Sequence, residues 1–277
     1  MTRLIAVLCL AAVAAPGGAS AAARPVAIPG FEFEPKAVKV LVGDHVRWTN
    51  RVSTPHDVWN SPDGTAFMSG LLTSGQWFDS PPFSEVGDIP YFCHEHAYMT
   101  GVVRVGEVWL TGPSAPVLHG TTVTLRGLAP EGTEVHVERL VNGTWTPVAT
   151  VTSGGNDVFT HSVPAVLARY RAVLPTDHAS EEVAVVVKPR VTLAKKRLPR
   201  KRTRVTVTAA PNRAGAVAVL QRKKPAGWRA IASKRLGSNS KAAFVVAPPK
   251  GTWRVRAIVK SSGGYAAGQS GVIAVKR

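Results

Sequence analysis

Beyond its first two dozen residues the chain offers no run of helical period; short segments alternate apolar with polar side chains instead. Val46-Arg47-Trp48-Thr49, Val123-Thr124-Leu125-Arg126, Val135-His136-Val137-Glu138 and Arg204-Val205-Thr206-Val207 share the period of two that turns one strand face to a core and the other to water. Gly and Pro clusters such as Ser61-Pro62-Asp63-Gly64, Ser80-Pro81-Pro82 and Ser153-Gly154-Gly155-Asn156 punctuate these segments as turns. An all-β fold of packed sheets follows. With 277 residues, 45% of them hydrophobic, the chain is neither disordered nor limited to a single core.

The last two thirds repeat internally. Arg139, Trp145 and Tyr170 recur as Arg222, Trp228 and Trp253, each 83 positions on, and Val123 and Leu125 recur as Val205 and Val207 at 82. Each unit carries an aromatic just after a turn, Asn142-Gly143-Thr144-Trp145 in one and Pro225-Ala226-Gly227-Trp228 in the other. The pattern resembles the immunoglobulin-like modules of exported bacterial proteins, which implies two β-sandwiches over residues 111–190 and 191–277. Trp145 and Trp228 read as core or strand-pairing aromatics, in preference to a sugar-stacking surface.

Met1-Thr2-Arg3, the apolar run from Leu4 to Ala15 and the small residues Ala19-Ser20-Ala21 or Ala21-Ala22-Ala23 read as a secretory signal over residues 1–23. The expected product is secreted or held in the cell envelope, periplasmic or cell-wall associated. No later stretch is apolar enough to span a bilayer. Of the two cysteines, Cys9 falls in the leader and Cys93 is left alone. A disulfide scaffold and a four-cysteine zinc site are thereby excluded, and the lone thiol needs another explanation.

That explanation lies in Tyr91-Phe92-Cys93-His94-Glu95-His96-Ala97-Tyr98-Met99-Thr100-Gly101, where a thiol, an imidazole and a thioether fall close together after an aromatic strand. A second imidazole, His56, stands upstream in Ser53-Thr54-Pro55-His56-Asp57-Val58. Two His and one Cys in a plane with a weak axial Met is the donor set of a blue-copper electron-transfer site, because thiolate and thioether stabilise Cu(I) while imidazole serves both oxidation states. Cys93 can end a strand, and a short turn can then fold His96 and Met99 around one ion, with His56 supplied by a neighbouring loop.

Over residues 26–106 the sequence resembles the plastocyanin and amicyanin branch of the cupredoxins. The likeness rests on Gly30-Phe31-Glu32-Phe33-Glu34-Pro35, Val42-Gly43-Asp44-His45-Val46-Arg47-Trp48-Thr49-Asn50, Pro55-His56-Asp57-Val58 and the Cys93 to Gly101 segment, whose Cys-x2-His-x2-Met spacing is similar to the short amicyanin loop. The resemblance implies a Greek-key β-sandwich over residues 24–110 that carries one type 1 copper ligated by His56, Cys93, His96 and Met99. Two departures stand out. Asp57 occupies a position that is usually Asn and ties the two ligand loops together; its charge is expected to favour Cu(II). His94-Glu95 sits where the family has small residues or proline, and His94 reads as a solvent-facing residue at the loop edge. His45, His119, His136, His161 and His178 are scattered without metal spacing, and Met68 reads as packing.

No nucleophile elbow, phosphate-cradling glycine loop or zinc-protease motif is present, and one ligand cysteine does not make a multicopper oxidase, so an enzyme is not expected. Charge is divided unevenly. Residues 24–110 carry six basic and ten acidic side chains, 111–190 six and seven, and 191–277 twenty-one and none. The run Lys195-Lys196-Arg197-Leu198-Pro199-Arg200-Lys201-Arg202-Thr203-Arg204 would suggest nucleic acid in a cytosolic chain, but the leader argues against a specific nucleic-acid partner. The expected partners are redox proteins for the first domain and an anionic cell-wall polymer or lipid headgroups for residues 191–277. Copper sequestration or delivery is the alternative to electron transfer; an adhesion protein with an incidental metal site is a third reading.

Overall fold

The computed structural model describes residues 21–60, 65–249 and 251–276, and the chain divides into one unit ending at Gly106 and a second beginning at Glu107. The expected leader lies outside the described residues except for its last three. Of these, Ala22 donates its N–H to Asp44 Oδ1, and Ala23 already belongs to the first strand.

The first unit contains β1 (Ala23–Ile28), β2 (Ala37–Leu41), β3 (His45–Asn50), β4 (Trp59–Asn60), β5 (Trp77–Asp79), β6 (Gly87–Phe92) and β7 (Thr100–Gly106). They form two sheets, ordered β1-β3-β5 and β2-β7-β6-β4. The chain changes sheet between β1, β2 and β3, so β1 runs parallel to β3, and β2 likewise to β7. The expected sandwich is therefore present. In β3, Val46, Trp48 and Asn50 point inward while His45, Arg47 and Thr49 face out, as their alternation requires. Trp48 is fully buried, edge-on to Tyr91 at 5.2 Å and beside Phe67 at 5.1 Å. Loss of such a ring from a core costs about 3–5 kcal/mol. Buried Asp44 fastens the edge of this sandwich, its carboxylate accepting from the Ala22 and Leu41 N–H groups and pairing with Arg24 Nε at 2.8 Å.

The second unit opens with β8 (Trp109–Thr111), β9 (Val117–Leu118), β10 (Thr122–Leu128), β11 (Glu134–Val141), β12 (Thr144–Thr152), β13 (Val158–Pro164), β14 (Ala168–Val173), β15 (Val183–Val185) and β16 (Val187–Lys188). Its second half holds β17 (Arg190–Leu198), β18 (Arg202–Ala210), β19 (Val217–Lys224), β20 (Gly227–Arg235), β21 (Lys241–Val246), β22 (Thr252–Val259), β23 (Gly268–Gln269) and β24 (Ile273–Lys276). Val108 and Leu110, placed by the sequence in the first domain, pack into this unit's core. Each half pairs two sheets around its own core: β13-β10-β8 with β12-β11-β14-β15, then β17-β18-β21 with β20-β19-β22 continued by β23 and β24. The halves are not independent, since Tyr265 packs on the first core and the Ala266 N–H donates to Val187.

The repeat extends to single hydrogen bonds. A β-bulge falls between Val137 and Glu138 in one half and between Leu220 and Gln221 in the other. Ser180 Oγ accepts the Ala172 N–H and donates to Glu181, as Ser270 Oγ does with Ala257 and Gly271. This register corrects one expected equivalence. Arg139 faces Tyr170 and Arg222 faces Val255, so Val255, not Trp253, is the counterpart of Tyr170. Two residues more separate the strands in the second half, which the shared aromatic character of Tyr170 and Trp253 conceals.

Trp145 and Trp228 pair across strands, with Leu140 and Lys223, but they are not core residues; each lies half-buried beneath an arginine. Met68 is not packing either, being 58% exposed. Among the described residues no helix is long and apolar enough to cross a membrane.

Candidate metal centre

His56 is delivered by the loop that leaves β3. Asn50, at the inward end of that strand, donates its side-chain amide to the Thr54 and Leu72 carbonyls and accepts the Val52 N–H, which fixes the loop from inside. His56 then exchanges both backbone hydrogen bonds with Leu72. Cys93 directly follows β6, and the turn after it closes on its own backbone. The His96 N–H donates to Cys93, the Met99 N–H to His96 and the Cys93 N–H to Met99, at 3.2, 2.8 and 3.0 Å. Three of the four expected donors thus sit on one loop whose shape the main chain sets.

The two loops bring Cys93 Sγ to 3.7 Å from His56 Nδ1 and 3.5 Å from His96 Nδ1. His56 and Cys93 are fully buried, Met99 is 2% exposed and His96 is half-buried. Metal–thiolate and metal–imidazole bonds of about 2.3 and 2.0 Å, opened to trigonal or tetrahedral angles, hold S and N about 3.5–3.8 Å apart. The observed separations are those an ion between the three groups requires. The residues therefore fit a copper ion chemically and in spacing.

Electrostatics agree. Burial, and secondarily the neighbouring His96, pushes the His56 imidazole below its ordinary value, which favours the neutral, ligating form. Burial raises the Cys93 thiol, with the Asp57 N–H and His96 N–H acting against that rise and the Asp57 side chain adding to it. An arriving cation must expel the thiol proton, so binding is coupled to proton release.

Asp57 ties the loops together, as expected of its position: its Oδ1 accepts the His94 N–H at 2.6 Å, and the side chain is buried. His94 is exposed and stacks on Trp59 at 4.9 Å. Donor atoms of Asp57, His94 and Glu95 also lie within 4.8 Å of one another, but the Asp57 carboxylate is already committed to His94 and Cys93. The scattered histidines His45, His119, His136, His161 and His178 join no donor group among the described residues.

Phe31 is the residue sequence reasoning missed. It is 54% exposed and stands edge-on to both imidazoles, 5.7 Å from His56 and 5.0 Å from His96, with exposed Tyr98 6.4 Å away. Its segment was legible, but nothing in the sequence places its ring over rings 25 and 65 positions further along.

No family model matches the chain. Curated relatives do. Amicyanin of Paracoccus denitrificans is 34% identical over 82 residues, 29% of this chain and 63% of that protein. Chloroplastic plastocyanin of Tetradesmus obliquus is 30% identical over 84 residues, 27% of this chain and 56% of that protein. Amicyanin-alpha of Methylorubrum extorquens is 32% identical over 103 residues, 36% of this chain and 86% of that protein. The chain belongs to the cupredoxin family. The membership concerns the first unit, and the chain spans only about three fifths of the first two relatives. In this cupredoxin unit the half-buried His96 is the member of the donor group that reaches the surface, between Phe31 and Tyr98.

Proposed function

We propose that this is an exported blue-copper protein that holds one copper through His56, Cys93, His96 and Met99 and carries single electrons to and from redox partner proteins. The observation that carries the reading is the pair of S to Nδ1 separations, 3.7 and 3.5 Å, in a buried pocket with one imidazole at its mouth. Bound copper supplies a one-electron couple. The chain's own contribution is a donor set fastened by backbone hydrogen bonds, so that each electron moves with little rearrangement. His96, framed by Phe31 and Tyr98, is the route by which the electron leaves, and the small aromatic surface there suits a brief encounter with a partner. The second unit, two immunoglobulin-like modules in this reading, holds the protein near an anionic surface through its basic second half.

Adding Cu(II) to the purified protein and to Cys93→Ala tests the centre. An intense thiolate-to-copper absorption band is expected only with Cys93. A colourless protein, or a weak colour that survives Cys93→Ala, would overturn the electron-carrier reading in favour of copper handling by histidines.

A further inference from the structure

The repeat provides an internal comparison that the charge count alone does not. On the outer face of the first half, Arg171 Nε pairs with Glu138 at 2.8 Å, Arg169 pairs with Glu182, and Leu140 stands opposite Trp145. Register carries each of these positions into the second half. Gln221 and Arg256 replace Glu138 and Arg171, Lys223 replaces Leu140, Arg254 replaces Arg169, and Val272 replaces Glu182. The hydrogen bond survives unchanged, Arg256 Nε donating to Gln221 Oε1 at 2.8 Å, and so does the guanidinium over the indole, at 4.6 Å in one half and 4.3 Å in the other. The two carboxylates are gone and a lysine is added. Two arginines balanced by two acids become three cations with none, and no Asp or Glu follows Glu182 anywhere in the chain.

The fold does not require this change, since the first half builds the same sheets with its charges paired. Leaving cations unbalanced costs electrostatic self-energy that a polyanion would relieve. Arg256 is already held by Gln221 and Trp228, so it loses little freedom on binding, and a fixed guanidinium suits bidentate contact with phosphate oxygens. Arg254 and Arg256, two residues apart on β22, project from the same face about 6.6 Å from each other. We propose that this outer face of β20-β19-β22, bearing Lys223, Arg254 and Arg256, is the binding surface for a linear phosphate-bearing polymer. A polymer is favoured over a bilayer because Trp228, the large aromatic of the face, lies under Arg256 and does not project for insertion. The inference rests on the anionic-surface reading above and locates it.

The test gives this face of the second half the residues that the first half has at the same positions: Gln221→Glu, Lys223→Leu and Val272→Glu in the full chain, titrated with long-chain inorganic polyphosphate at several salt concentrations. Wild type is expected to bind with a salt-dependent affinity. The triple variant should bind at least about tenfold more weakly at 0.1 M salt, with a log K against log salt slope shallower by about 2. Gln221→Glu alone should weaken binding in the same direction, which keeps the test informative if the triple variant does not fold. Failure of wild type to bind any polyanion would overturn the anionic-surface reading itself. Wild-type binding left intact by the triple variant but lost on changing Lys195, Lys196, Arg200 and Lys201 to Gln would overturn only the location. Tighter binding to phosphatidylglycerol vesicles than to polyphosphate would overturn the choice of a polymer.

Discussion

Replacing Asp57 by Asn removes one negative charge beside the metal centre and leaves the local geometry in place, because an amide oxygen can still accept the His94 N–H that Asp57 Oδ1 now accepts at 2.6 Å. The carboxylate is 5% exposed and interacts with Cys93 as well as His94, so its charge is poorly screened by water. A unit charge about 6 Å from an ion, at an effective dielectric of about 20–40, interacts with it by about 1.4–2.8 kcal/mol more for each added positive charge. For a one-electron couple this is about 60–120 mV. Asp57 stabilises the more positive Cu(II) state, so Asp57→Asn should raise the reduction potential by that amount, with little dependence on salt. Voltammetry of the copper-loaded wild type and variant reads the shift directly. An unchanged or lowered potential, with the thiolate band intact in both, would refute the argument.

Two further outcomes follow from the first unit. A Cβ at Gly101 would lie 2.4 Å from Cζ of buried Tyr91, whose ring is edge-on to Phe33 and Trp48 and cannot retreat. Gly101→Ala should therefore destabilise the unit by about 1–3 kcal/mol, and an unchanged urea midpoint would contradict the packing described. Arg47 holds Asp79 through two 2.7 Å hydrogen bonds, which lower the Asp79 carboxyl from its ordinary 3.8. A depressed carboxyl contributes stability above the unfolded value and loses it as pH falls through the folded one. Asp79→Asn should accordingly melt lower than wild type at pH 7 and converge with it in strong acid; a gap that persists at low pH would show that the ion pair is not the cause.

What could be read from the sequence was local. Cys93, His96 and Met99 lie within one turn, so their spacing already states their proximity, and the alternation Val46-Arg47-Trp48-Thr49 already states which side chains face the core. Phe31 was illegible as part of the site because its contact with His96 exists only once two loops have closed. The repeat shows the same limit. The 83-residue spacing that relates Arg139 and Trp145 to Arg222 and Trp228 holds because each pair lies on one hairpin with a bulge that both halves share, whereas it fails between Tyr170 and Trp253, which lie beyond a loop whose length differs. Side-chain character suggested the pairing, but strand register decides it.

The turn from Cys93 to Met99 is bonded to itself through its own main chain. A turn closed by its own main chain leaves few backbone torsions to be ordered when its three donors are gathered on one ion. Such a frame discriminates among ions by their tolerance. One that insists on a square or octahedral shell must strain against the main chain, while one content with a few soft donors in either oxidation state enters without resistance. The hydrogen-bonded backbone of seven residues thus acts together with the donor atoms it presents in setting which metal suits the pocket.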